Sequence, residues 1–287
     1  MKRQILSFSN KISRNLPKPE RKFIADMNYG ILASGSCLLT DIVDRLQEPS
    51  RKINIVDRLS RHLAKGIPQD ALKSYLTQVR KWCPDHPVIH IDDSDVVKPD
   101  GYKFESLGWV RDGSESTATK SVYKKGYHVT EATVLTNNNH PVSIFSEIHS
   151  SKEKGFTSIN DVTFSAMERA AALFERSTFV MDRGYDDNKM FQFENFRVRK
   201  LKAINALNFY LTLCMAFLGH ISMRSETNML KAAIIQTADP IKEKVTFCYY
   251  RLAKGISGIL SYAKEGIRLW FRTKRPAYRQ LCLKLAV

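Results

Sequence analysis

The chain has 287 residues, enough for one large domain or two modest ones with a real hydrophobic core, and its 43% hydrophobic content is ordinary for a soluble globular protein. Forty-five Lys and Arg against 29 Asp and Glu leave a net charge of +16, a surplus that points to a polyanion, either nucleic acid or an anionic membrane surface. The cysteines at 37, 83, 214, 248 and 282 are far apart and odd in number. They form no C-x-x-C pair and no Cys/His zinc spacing, so they read as buried thiols in a reducing cytoplasm.

Residues 1–22 hold seven basic side chains and one acid, Glu20, a basic leader that either touches DNA or frays. From Arg21 to about Trp82 the pattern is helical. Phe23, Met27 and Ile31 recur at spacing four, and Leu38, Ile42, Val43 and Leu46 line a second stripe that Thr40 and Asp41 could cap. Ile55, Leu59 and Leu63 precede Gly66-Ile67-Pro68, and Leu72, Leu76 and Val79 form a fourth stripe. Several short helices with basic outer faces suit a small DNA-binding domain over 21–85, and a plain helical bundle fits equally well.

At Pro84 the period becomes strand-like. Val88 to Ile91 is a short β-rich run ending in Asp92-Asp93. Tyr127–Leu135 and Val142–Ile148 form a hairpin around the turn from Asn137 to Pro141, and Ile159–Phe174 reads as a helix. Thr178 to Met181 is a further short apolar strand, ending at Asp182. With that strand added beside the first, Asp92 and Asp182 meet at one edge of the core. Like charges that close call for cations between them, and carboxylates suit Mg²⁺. Each Asp also fits the plainer role of a residue that ends a strand.

Three blocks carry a resemblance: Ile91-Asp92-Asp93-Ser94-Asp95-Val96-Val97-Lys98-Pro99, the stretch from Leu107 to Ser114, and Phe179-Val180-Met181-Asp182-Arg183-Gly184-Tyr185-Asp186-Asp187. They are similar to DDE-type insertion-sequence transposases of the IS-four-like group. The matching region runs from about Asp92 to Phe217, and residues 20–85 resemble the helical N-terminal region of such proteins.

The resemblance implies an α/β chain with an RNase H-like mixed-sheet catalytic domain over 86–222, truncated after about 188. A helical region precedes it, and a basic helical segment, 223–287, follows. It implies catalytic and metal-binding roles for Asp92, with Asp93 as the alternative, and for Asp182, around a two-ion Mg²⁺ or Mn²⁺ site. Strand alternation sends Asp92 and Asp93 to opposite faces, and Asp92 matches the D-x-[S/T] spacing through Ser94. The implied activity is metal-dependent DNA cleavage and strand transfer, with double-stranded DNA ends and target as partners and a homodimer on the DNA. The implied setting is cytoplasmic, on nucleoid DNA.

The sequence departs from the family after Asp187. Only Asn188, Lys189 and Met190 separate it from the block starting Phe191-Gln192-Phe193-Glu194, which resembles the segment that follows the family's catalytic helix. No room remains for the third acid, and Glu194 does not take its place. An internal deletion is the simplest account, and the alternative to an impaired transposase is a non-catalytic DNA-binding remnant.

Lys98 and Arg183 are candidate phosphate contacts, as is the cluster Arg197, Arg199, Lys200 and Lys202, which leads into an apolar helix over Ala203–Gly219. A cationic cluster at a helix N-terminus opposes the helix dipole and so favours a bound anion, although a solvated helix start reads the same way. The apolar helix itself is read as a core helix rather than a membrane span. From Arg251 to Val287 nine basic residues and one acid are interleaved with Tyr262, Trp270, Phe271 and Tyr278, which suits DNA or a membrane surface.

Overall fold

The structure is a computed structural model and describes residues 1–113, 115–117, 119–181, 196–223, 234 and 251–261. Five helices come first: α1 (Lys2–Ile12), α2 (Lys18–Ser34), α3 (Leu39–Leu46), α4 (Lys52–Ala64) and α5 (Gln69–Trp82). The basic leader is therefore a helix, because Ile5, Phe8 and Ile12 fall on one side and are buried. Burying each such side chain contributes about 1.5–3 kcal/mol, enough to hold a short helix that would fray alone. Leu38 rather than Thr40 or Asp41 precedes the first turn of α3, and no side chain caps it. Asp41 instead lies inside that first turn, where its charge favours the dipole.

The period change at Pro84 marks entry into a mixed sheet. Its strands are β1 (Val88–Val97), β2 (Gly108–Arg111), β3 (Tyr123–Leu135), β4 (Pro141–His149) and β5 (Thr178–Met181), with α6 (Ile159–Leu173) between the last two. β3 pairs antiparallel with β1 along one side and with β4 and β2 along the other. β5 lies parallel to β1 on the outer side, with Ile89 opposite Phe179 and Ile91 opposite Met181. This is an α/β protein with parallel and antiparallel strands in one sheet. The expected placement of the last strand beside the first is what the register shows.

Two expectations are corrected. β1 does not end at Asp92-Asp93 but runs on to Val97, because β3 pairs with it continuously from Val134 to Gly126. β2, from the block between Leu107 and Ser114, was not expected as a strand; at four residues it is too short to show an alternation by itself.

α7 (Leu201–Met223) joins the two parts of the molecule, packing on β4 and against α2 and α4. Its segment Leu201–Ile221 is apolar and long enough to cross a membrane, yet 78% of its most apolar stretch is buried inside the protein, so it is a core helix. Asn205 covers the outer edge of β4: its Oδ1 accepts the Ile148 N–H at 2.8 Å and its Nδ2 donates to the Ile148 carbonyl at 2.9 Å. A side-chain amide thus stands where another strand would pair, which blunts an otherwise open edge. Residues 251–261 are helical, and Ser257 donates to the Ala33 carbonyl at 3.0 Å.

Candidate functional site

The sheet has two differently dressed faces. Arg169 of α6 lies over the Phe145 ring, and Phe145 pairs with Ala132, which pairs with Ile91. Alternation then puts Ile89, Ile91, Asp93 and Asp95 on the α6 face. On the other side, Asn208 of α7 donates to Ser146 Oγ at 2.6 Å, and Ser146 pairs with Glu131, which stands opposite Asp92. Asp92, Ser94 and Glu131 therefore lie on the α7 face. The two candidate first ligands are split by the sheet: Asp92 is half-buried on one side and Asp93 is exposed on the other.

Asp93 is held in place. Thr130 Oγ1 donates to its Oδ1 at 2.5 Å and lies 2.9 Å from His149 Nε2. The single Thr130 proton is committed to the carboxylate, so the hydroxyl accepts from His149 and that imidazole carries its proton on Nε2. Its Nδ1 lone pair is buried with no hydrogen-bond partner among the described residues. His149 is sandwiched between the His128 and Phe156 rings, each 5.7 Å away. Burial first, and then the neighbouring His128, push its pKa down to about 4, against the pull of Asp93 and Asp95. His128 Nδ1 lies 2.7 Å from Asp95 Oδ1. This polar row was not anticipated, although a signal existed: polar His128 and Thr130 share the face of β3 on which Ala132 and Val134 are buried.

Asp182, the second expected acid, lies outside the described residues, as do Arg183 and Glu194. Met181, immediately before Asp182 in the chain, is the last β5 residue paired with β1. Among the described residues no three His, Cys, Asp or Glu side chains converge on a point where a metal ion could sit.

The basic candidates divide. Lys98 is turned inward: its Nζ donates to the Phe196 carbonyl at 2.9 Å and lies 3.9 Å from the centre of the Phe196 ring. Arg197, Arg199, Lys200 and Lys202 are exposed around the start of α7. A carboxylate of the protein also stands at this helix start, since Glu105 accepts the Leu201 N–H at 2.9 Å. Glu105 also donates its backbone N–H to the Arg199 carbonyl at 2.9 Å, and its own carbonyl accepts from the Tyr127 hydroxyl. The loop between β1 and β2 is thereby pinned to β3 and to α7. Of the cysteines, Cys37, Cys83 and Cys214 are buried, and burial pushes the Cys83 thiol up to about 12. The C-terminal aromatics Tyr262, Trp270, Phe271 and Tyr278 lie outside the described residues.

Comparison with family models, with curated proteins and with solved structures gives no match to this chain.

Proposed function

We propose that this chain is a DDE-type transposase whose catalytic set is incomplete: a DNA-binding protein of RNase H-like architecture that keeps two of the three acids needed for phosphodiester chemistry. The observation that carries this reading is the register of β5 on β1. Ile91 pairs with Met181, so the residues that follow them in the chain are Asp92 on one strand and Asp182 after the other. The sheet order supports it further, with four antiparallel strands, a crossover through α6, and a parallel strand added beside β1.

In this reading Asp92 and Asp182 are the hard oxygen ligands for Mg²⁺ or Mn²⁺, which when bound polarises a phosphodiester and lowers the pKa of an attacking hydroxyl. Asp92 is favoured over Asp93 by the D-x-[S/T] spacing through Ser94. The exposed cations Arg197, Arg199, Lys200 and Lys202 would meet phosphates, and the net charge of +16 supplies the long-range attraction.

The short interval from Asp187 to Phe191 favours a second, related reading: a remnant that binds DNA and does not cut it. A supercoiled plasmid incubated with the protein and Mn²⁺ separates the two. Open circles that vanish with Asp182→Ala mean a working enzyme. Retention of the plasmid without nicking means a remnant, and neither retention nor nicking overturns both.

A further inference from the structure

The β2–β3 ribbon presents a surface that the two-acid site does not use. Trp109 stands opposite Lys125 and Arg111 opposite Tyr123, so all four side chains lie on one face of the ribbon. Trp109 is 59% exposed and Tyr123 60%, and Arg111 is exposed beside them. The opposite face is closed: Val110 is buried, and the Gly126 Cα sits so near Val110 and the Val96 carbonyl that a methyl group there would clash with both.

The ribbon is also braced. Lys124, on its far face, bridges Asp112 at 2.9 Å and Glu115 at 2.5 Å, and the Asp112 N–H donates to the Val122 carbonyl at 2.8 Å. No carboxylate is within ion-pairing distance of Arg111 or Lys125 among the described residues. Two large aromatic rings open to solvent as diagonal neighbours, beside two cations on a braced ribbon, form a contiguous patch of the kind that marks binding surfaces.

We propose that this face binds an unpaired DNA strand, with bases stacking on Trp109 and Tyr123 and with Arg111 and Lys125 on the flanking phosphates. The chemistry fits on three counts. Diagonal neighbours across an antiparallel pair stand roughly 7–8 Å apart, a spacing at which two rings on a sheet take separate bases. Stacking tolerates any base, which matches a face whose four described side chains, Trp109, Arg111, Tyr123 and Lys125, include no amide or carboxylate to read base edges. A protein partner would favour a surface poorer in lysine. By register the face lies on the same side of the sheet as Asp92, with the buried side chains of Tyr127 and Val129 between them. The proposal rests on the DNA-handling reading above and adds the kind of DNA held and the element that holds it.

The test is fluorescence anisotropy of labelled oligo(dT), of a blunt duplex of equal length and of oligo(rU), with the full-length chain, Trp109→Ala/Tyr123→Ala and Trp109→Phe. Stacking predicts that the double variant weakens oligo(dT) binding by about 5- to 100-fold per ring while duplex affinity holds, and that Trp109→Phe retains most of the binding. Circular dichroism should be unchanged, because both rings point into solvent. Equal loss on duplex and oligo(dT), no loss on oligo(dT), or tighter binding of oligo(rU) overturns the proposal. So does a change of sedimentation with DNA affinity intact, which makes the face a contact between copies. Wild-type binding to duplex alone sinks this proposal and leaves the transposase reading standing; binding to neither sinks both.

Discussion

Asp92 stands directly opposite Glu131 across the β1–β3 ladder, and both lie on the face of the sheet that carries α7. Two carboxylates at facing positions repel, and the proposed site places a hard divalent cation on Asp92, which would ease that repulsion. Mn²⁺ should therefore raise the melting temperature of the wild-type chain, by mass action on the folded state. The rise should disappear in Asp92→Asn and persist in Asp93→Asn. Differential scanning fluorimetry with and without EDTA reads this, and the reverse pattern would move the first ligand to the α6 face.

His149 gives a pH dependence whose sign is fixed. Its folded pKa of about 4 lies below the ordinary value of 6.5, so between those values the unfolded chain binds a proton that the folded chain refuses. Its contribution to stability is complete above pH 6.5 and is lost as pH falls toward 4, with an upper limit of about 3 kcal/mol. Urea midpoints at a series of pH values should fall across that window. His149→Gln, which keeps a donor for Thr130 but does not titrate, should flatten the fall.

Gly126 joins three strands. A Cβ there would lie 2.4 Å from the Val96 carbonyl oxygen and 2.6 Å from a Val110 methyl. Gly126→Ala should cost about 1–3 kcal/mol through overpacking. Gly113→Ala, with nothing within 4 Å, should stay within about 0.5 kcal/mol of wild type. Chemical denaturation of both variants checks the contrast.

Glu105 offsets the cationic start of α7. Glu105→Ala removes the carboxylate that accepts the Leu201 N–H and should cost about 1 kcal/mol, a typical cap. Glu105→Gln keeps an acceptor but not the charge, so its smaller loss should shrink as salt screens the neighbouring Arg199, Lys200 and Lys202. Melting temperatures at low and high salt separate the two contributions.

Much of the architecture was legible in the sequence. The stripes through Met27, Ile42, Leu59 and Val79 placed four helices, and the turn around Asn139, which adopts a positive φ of 59°, placed the β3–β4 hairpin. The extent of β1 was not legible, because Asp92 to Asp95 carry no apolar alternation; their strand state comes from pairing with β3. Nor was the Asp93–Thr130–His149 row, whose members lie 37 and 19 residues apart in pairs and meet only through sheet register. Lys98 read as a surface cation because sequence does not show that the Phe196 ring and carbonyl will cover it.

The central claim, a transposase with an incomplete catalytic set, is tested most directly with the DNA that flanks this chain's own gene. End-labelled flanking fragments and a scrambled control are incubated with the full-length protein and Mn²⁺, then run on native and denaturing gels. The account predicts preferential, salt-sensitive retention of the flanking fragments with every strand intact. Retention no better than for the scrambled control would contradict it, whereas strand cleavage that disappears in Asp182→Ala would sink the non-cutting remnant and leave a working enzyme.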